Sequence, residues 1–133
     1  ARLAHLQMNV DRENLEFYEE LVNSVGWKTI HADDGMLGVM GDDGLSIWFV
    51  DKVNDVSGDY DGCGLNHLAL GVDSIAEVDK AAAWLTERGI EHLFGTPRHR
   101  PEFSSDDKTT YYQVMFESPD KLLFEIVFTG PLQ

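Results

Sequence analysis

The sequence predicts an α+β chain of two tandem βαβββ modules whose sheets pair into a cup-shaped, half-open barrel. Two observations predict it. The segments Leu3-Ala4-His5-Leu6-Gln7-Met8-Asn9-Val10-Asp11 and Leu65-Asn66-His67-Leu68-Ala69-Leu70-Gly71-Val72-Asp73 are alike and open matching halves. Each is followed by one amphipathic helical stretch closed by glycine, and then by three runs with strand character.

In residues 3–10, Leu6, Met8 and Val10 alternate with His5, Gln7 and Asn9, the period of a half-buried strand. Asp11 can cap a helix with apolar positions Leu15, Tyr18, Leu21, Val22 and Val25, and Gly26 stands where a left-handed residue is wanted. Residues 27–32, 36–40 and 45–50 read as strands, the last two joined by Gly41-Asp42-Asp43-Gly44. A polar, glycine-rich stretch follows and the pattern restarts. Residues 65–72 form a strand, and Ser74 with Glu77 makes a capping box. Ile75, Val78, Ala82 and Leu85 stripe the helix, and Gly89 ends it. Residues 90–94, 110–116 and 122–128 complete the second set of strands, leaving 95–109 as a loop without a counterpart in the first half. Residues 1–133 are thus expected to form a single domain, with module 1 at about 1–52, a connector at about 53–63 and module 2 at about 64–129.

Composition narrows the function classes. Of 133 residues, 43% are hydrophobic, enough for a real core. Ten Lys and Arg against 24 Asp and Glu leave a net charge near -14, which repels a polyphosphate backbone and an anionic membrane surface. Nucleic acid and membrane partners are not expected. Cys63 is the only cysteine, no apolar run approaches the about 18 residues of a membrane span, and no signal-peptide pattern is visible at the start. A reducing, cytoplasmic setting is the expectation.

Each sheet should bury one face under its helix and turn the other toward its twin. His5 and His67 fall on the face away from the helix. On the last strand, Phe124, Ile126 and Phe128 form a wholly apolar face suited to the helix, which turns Leu123, Glu125 and Val127 the other way. A buried carboxylate is costly unless paired, so His5, His67 and Glu125 are the candidate ligands of one divalent metal ion. Two histidines and a carboxylate with open positions suit Fe(II), Mn(II), Ni(II) or Zn(II). Aligning Asp43-Gly44-Leu45 with Asp120-Lys121-Leu122 sets Trp48 opposite Glu125, so the first module offers an indole, a cavity wall, where the second offers a ligand.

In these residues the chain resembles the vicinal oxygen chelate superfamily, which includes glyoxalase I, extradiol dioxygenases, methylmalonyl-CoA epimerases, fosfomycin-resistance and bleomycin-binding proteins. The resemblance spans nearly the whole chain. It rests on the strand starts at His5 and His67, on Leu15-Glu16-Phe17-Tyr18, and on the closing segment from Tyr111 through Ser118-Pro119-Asp120-Lys121 to Glu125. Lys121 stands where the family's turn usually has glycine. The resemblance implies that His5, His67 and Glu125 hold the metal, to which a substrate binds through adjacent oxygens while the ion acts as a Lewis acid.

Further site candidates follow from position. Tyr111 and Tyr112 point to opposite faces of one strand, so one of them faces the cup and can donate to a bound oxygen or move a proton. Gln7 and Asn9 share the face of His5 and can hydrogen-bond substrate. Arg98 and Arg100, in Pro97-Arg98-His99-Arg100-Pro101-Glu102-Phe103, concentrate positive charge in a long loop able to clamp an anionic group. His31, His92 and Cys63 receive no role, and both histidines are expected to be exposed. The expected function is divalent-metal-dependent lyase or isomerase chemistry of glyoxalase/dioxygenase type on a small oxygenated metabolite. The alternatives are an Fe(II) dioxygenase and a metal-free drug-binding protein. A homodimer is the expected assembly.

Overall fold

The computed structural model describes all residues, 1–133, in two compact units, Ala1–Ser57 and Gly58–Gln133. The first unit runs β1 (His5–Val10), α1 (Leu15–Ser24), β2 (Lys28–Ala32), β3 (Met36–Met40) and β4 (Ser46–Asp51). The second runs β5 (Leu68–Gly71), α2 (Ile75–Glu87), β6 (Leu93–His99), β7 (Thr109–Glu117) and β8 (Leu123–Pro131). Each is a four-stranded mixed sheet with one helix, in the orders β1-β4-β3-β2 and β5-β8-β7-β6. The chain is α+β and repeats a βαβββ module. In both sheets the first strand lies parallel to the last, and the other pairings are antiparallel.

Local chemistry accounts for the helix ends. Asp11 accepts from the Glu13 amide at 3.0 Å and starts a 3-10 turn, Arg12–Asn14, that leads into α1. Ser74 accepts from the Glu77 amide at 3.2 Å while Glu77 accepts from the Asp73 amide at 2.8 Å, a reciprocal capping box. Gly26 and Gly89 have φ of +95° and +70°, and the amides of Trp27 and Ile90 reach back to the carbonyls of Val22 and Leu85. These are Schellman closures, and they require the left-handed residue that glycine supplies.

The apolar alternation sets which face of each sheet is buried. In β1, Met8 and Val10 are buried while His5, Gln7 and Asn9 are exposed. Tyr18 of α1 stacks on Phe49 of β4 with ring centroids 4.5 Å apart. In the second unit Phe116 and Phe124, cross-strand partners on β7 and β8, stack at 5.6 Å, and Val78, Ala82 and Leu85 of α2 are buried with Ile126. No helix is long and apolar enough to cross a membrane.

Three expectations about elements need correction. The first strand of the second unit begins at Leu68, so Asn66 and His67 belong to the segment leading into it. The third-to-last strand starts at Leu93 instead of Ile90 and continues to His99, inside the stretch expected as loop, with a 3-10 turn at Pro101–Phe103 beyond it. The reason is a bulge. Pairing with β7 shifts between Leu93 and Arg98, where Phe94 and Gly95 take φ of +56° and +69°. Thr96 bridges the gap with its hydroxyl, donating to the Leu93 carbonyl at 2.7 Å and accepting from the Met115 amide at 2.9 Å. His92, expected to be exposed, is half-buried, with Nε2 donating to the Ala82 carbonyl of α2 at 3.0 Å.

Candidate metal and substrate site

Strand parity builds the site on the face of the second sheet opposite α2. Glu125, paired with Ala69 on one side and Met115 on the other, is 1% exposed. Tyr111 donates to its Oε1 at 2.5 Å, and His67 Nε2 lies 3.0 Å from its Oε2. The other imidazole nitrogen, Nδ1, is 2.8 Å from Asn66 Oδ1. The Asn66 amide has one orientation available, because its Nδ2 donates to the Tyr60 carbonyl at 2.9 Å. Nδ1 must therefore carry a proton, which leaves the Nε2 lone pair aimed at a carboxylate.

That arrangement is satisfied only when Nε2 bears a proton or when a cation stands between the two groups. A divalent metal fits it. Glu125 is a deeply buried anion, His67 is fixed in the tautomer that coordinates through Nε2, and Asn66 orients the ring from outside. The structure holds no group of three or more His, Cys, Asp or Glu side chains placed to bind one ion, so the second unit supplies a pair of donors. Burial and the Glu125 carboxylate push the Tyr111 phenol up to about 12, so Tyr111 holds its proton at neutral pH and acts as a donor.

The pair opens into a cavity of about 640 Å³ within the second unit. Phe94, Phe103, Met115 and Leu123 form its apolar wall. Tyr60, Arg100 and Gln113 add polar groups. Tyr111, Gln113 and Met115 succeed one another at every second residue of β7, so one strand face carries all three.

The solved structures that share this fold bear on its identity. A candidate glyoxalase from Bacillus halodurans superposes with a TM-score of 0.79 at 25% identity, covering 96% of each chain. A glyoxylase/bleomycin resistance protein/dioxygenase domain from Frankia sp. EAN1pec gives 0.64 at 18% identity, over 98% of this chain and 97% of that one. The fosfomycin resistance protein FosX from Listeria monocytogenes, complexed with Mn(II) and sulfate, gives 0.67 at 21% identity, over 96% and 90%. The fold is that of the vicinal oxygen chelate superfamily. No protein-family model and no curated protein matches the chain in sequence.

Set in the vicinal oxygen chelate fold, the residues singled out from the sequence fall into three groups. His67, Glu125, Tyr111 and Arg100 meet at one cavity. His5, Gln7, Asn9 and Trp48 lie on the first unit, on the face of its sheet opposite Met8 and Val10. Tyr112 and Arg98 are not brought to the cavity. Tyr112 faces the helix, its hydroxyl donating to Asp79 of α2 at 2.7 Å, and Arg98 is exposed. The reason is parity. Tyr111 shares the face of Glu125, so its neighbour must take the other. Sequence reasoning passed over Asn66, Tyr60, Phe94, Phe103 and Gln113. For Gln113 a signal existed: a polar residue two positions after Tyr111, in a strand otherwise apolar toward its end.

Proposed function

We propose that this chain is a divalent-metal-dependent enzyme of glyoxalase/dioxygenase type acting on a small oxygenated metabolite. In this reading His5, His67 and Glu125 are the metal ligands. One observation carries it: a carboxylate 1% exposed faces an imidazole whose Nδ1 proton is committed to Asn66. That is a pair of donors oriented toward a cation. His5 is the third donor in this reading, supplied by a second copy in a homodimer, because the chain by itself holds no group of three such donors. The manganese in the similar FosX structure supports a divalent ion in this fold.

When bound, the ion supplies Lewis acidity toward adjacent oxygens of a substrate. The protein's own groups do the rest. Tyr111 commits its single phenol proton to Glu125 Oε1 and so holds that carboxylate in place, leaving its oxygen lone pairs toward the cavity, Asn66 holds His67 in register, and Phe94, Phe103, Met115 and Leu123 form the apolar side of the cavity. Gln7 and Asn9 contribute polar contacts from the first module, with Trp48 as a wall.

Elemental analysis of protein purified without chelator, before and after dialysis against one, tests the proposal. One equivalent of a divalent metal is expected, lost in His67→Ala with the circular dichroism spectrum retained. Undiminished metal in that variant, or none in the native protein after growth in metal-supplemented medium, would refute it. Oxygen uptake with catechols under Fe(II) loading separates the dioxygenase branch from lyase or isomerase chemistry.

A further inference from the structure

The cavity contains a second polar station, and its chemistry is the inverse of the Glu125 pair. Arg100, at the end of the bulged strand, has a side chain only 17% exposed although the chain as a whole is strongly acidic. Its Nε donates to Glu102 Oε1 at 2.6 Å, and its Nη1 donates to Gln113 Oε1 at 3.0 Å. The guanidinium also lies over the Phe103 ring, 4.8 Å from the centroid. Three contacts thus hold its plane, while Nη2 has no protein acceptor.

Gln113 is 2% exposed, and its orientation is settled by chemistry. A guanidinium has no acceptor, so the Gln113 oxygen must face Arg100 and its Nε2 must face elsewhere. No protein acceptor meets that amide nitrogen, yet it is not sealed from solvent. Gln113 therefore presents donors to the cavity it lines. Beside it stands the free edge of Arg100. Glu102 takes up the Nε edge of Arg100, and the remaining guanidinium edge and the Gln113 amide together present donors, which are complementary to an oxyanion.

The surroundings define the rest of the ligand. Phe94 takes φ +56°, a strained backbone for a bulky residue, and the bulge that imposes it places Phe94 on the cavity wall with Phe103. Tyr111 and Gln113 are alternate residues of one strand, so the donor patch lies roughly 7 Å along β7 from the tyrosine that touches Glu125. A small ligand can reach both.

We infer that Arg100 and Gln113 form a carboxylate-binding subsite, and that the substrate is an organic acid with an apolar, aromatic-sized body between its carboxylate and its reacting oxygens. The inference deepens the proposed function and rests on that reading for the position of the reacting end only. The carboxylate end binds without metal.

The test uses chelator-treated full-length protein and two probes, 3-phenylpropanoate and its uncharged amide, followed by calorimetry. The acid is expected to bind about tenfold or more tightly than the amide, as a charge-assisted hydrogen-bond pair confers. Arg100→Gln should erase that preference, Gln113→Leu should reduce it severalfold, and Arg98→Gln, at an exposed position, should leave it intact. Equal binding of acid and amide to the native protein, or binding of neither, overturns the subsite, and this comparison needs no variant to fold. A preference that survives in folded Arg100→Gln does the same. Because metal is absent throughout, failure here is distinct from failure of the metal reading.

Discussion

Trp48 and Glu125 occupy the same station in the two sheets. Trp48 of β4 pairs with Gln7, two residues after His5, and Glu125 of β8 pairs with Ala69, two residues after His67. The repeat has thus kept its register while exchanging a carboxylate for an indole. The backbone around Trp48 is adapted to the exchange. Gly38, its cross-strand partner on β3, leaves room for the ring, and a Cβ there would lie 2.6 Å from the indole Cζ3.

Gly38→Ala should therefore displace the indole. The expected cost is about 1–3 kcal/mol of stability, as for overpacking elsewhere. Denaturant unfolding and the tryptophan emission maximum measure it. An unchanged midpoint with unchanged emission would show that the ring has other room.

Asn66→Ala removes the group that fixes the tautomer of His67 without touching a proposed ligand. Metal affinity should fall by roughly 10–100-fold, as for other outer partners of ligating histidines. Competition with a chromogenic chelator reads the change. Loss of metal in His67→Ala combined with native affinity in Asn66→Ala would mean that Asn66 plays no part in orienting the ring.

Tyr111→Phe separates the phenol from the site. The Tyr111 pKa, raised to about 12 by burial and by Glu125, lies above the ordinary phenol value of 10.0. A raised folded value means that the neutral phenol contributes stability fully present below about pH 10, which is lost as the pH climbs through about 12. The variant should lack this part of the alkaline destabilisation and show one fewer late-titrating phenol in ultraviolet difference spectra. An ordinary midpoint for that phenol would contradict the Glu125 contact.

Lys121→Gly should stabilise the protein. Lys121 holds φ +60° in the turn before β8, where its amide donates to the Ser118 carbonyl at 2.8 Å. A left-handed residue with a side chain costs about 1–2 kcal/mol, partly offset in the variant by the greater freedom of unfolded glycine. A net gain of about 0.5–1 kcal/mol in chemical denaturation is expected. Destabilisation would show that the lysine side chain contributes more than its backbone strain removes.

Much was legible in the linear order of residues, because the determining physics is local. The alternation in β1 and the 3.6-residue stripes of α1 and α2 follow from which positions can reach a buried face. The caps at Asp11 and Ser74 and the closures at Gly26 and Gly89 follow from the orphan groups of helix ends. Parity alone turned Glu125 away from the apolar face of β8, and the repeat singled out His67. The tertiary structure decided matters that depend on pairing between distant segments. Which tyrosine faces Glu125 depends on how β7 registers against β8, since adjacent residues differ only in side. The bulge at Phe94 and Gly95 carried the strand into the expected loop and brought Arg100 against Gln113, thirteen residues away. Such contacts come from the meeting of surfaces, and no periodicity within either segment encodes them.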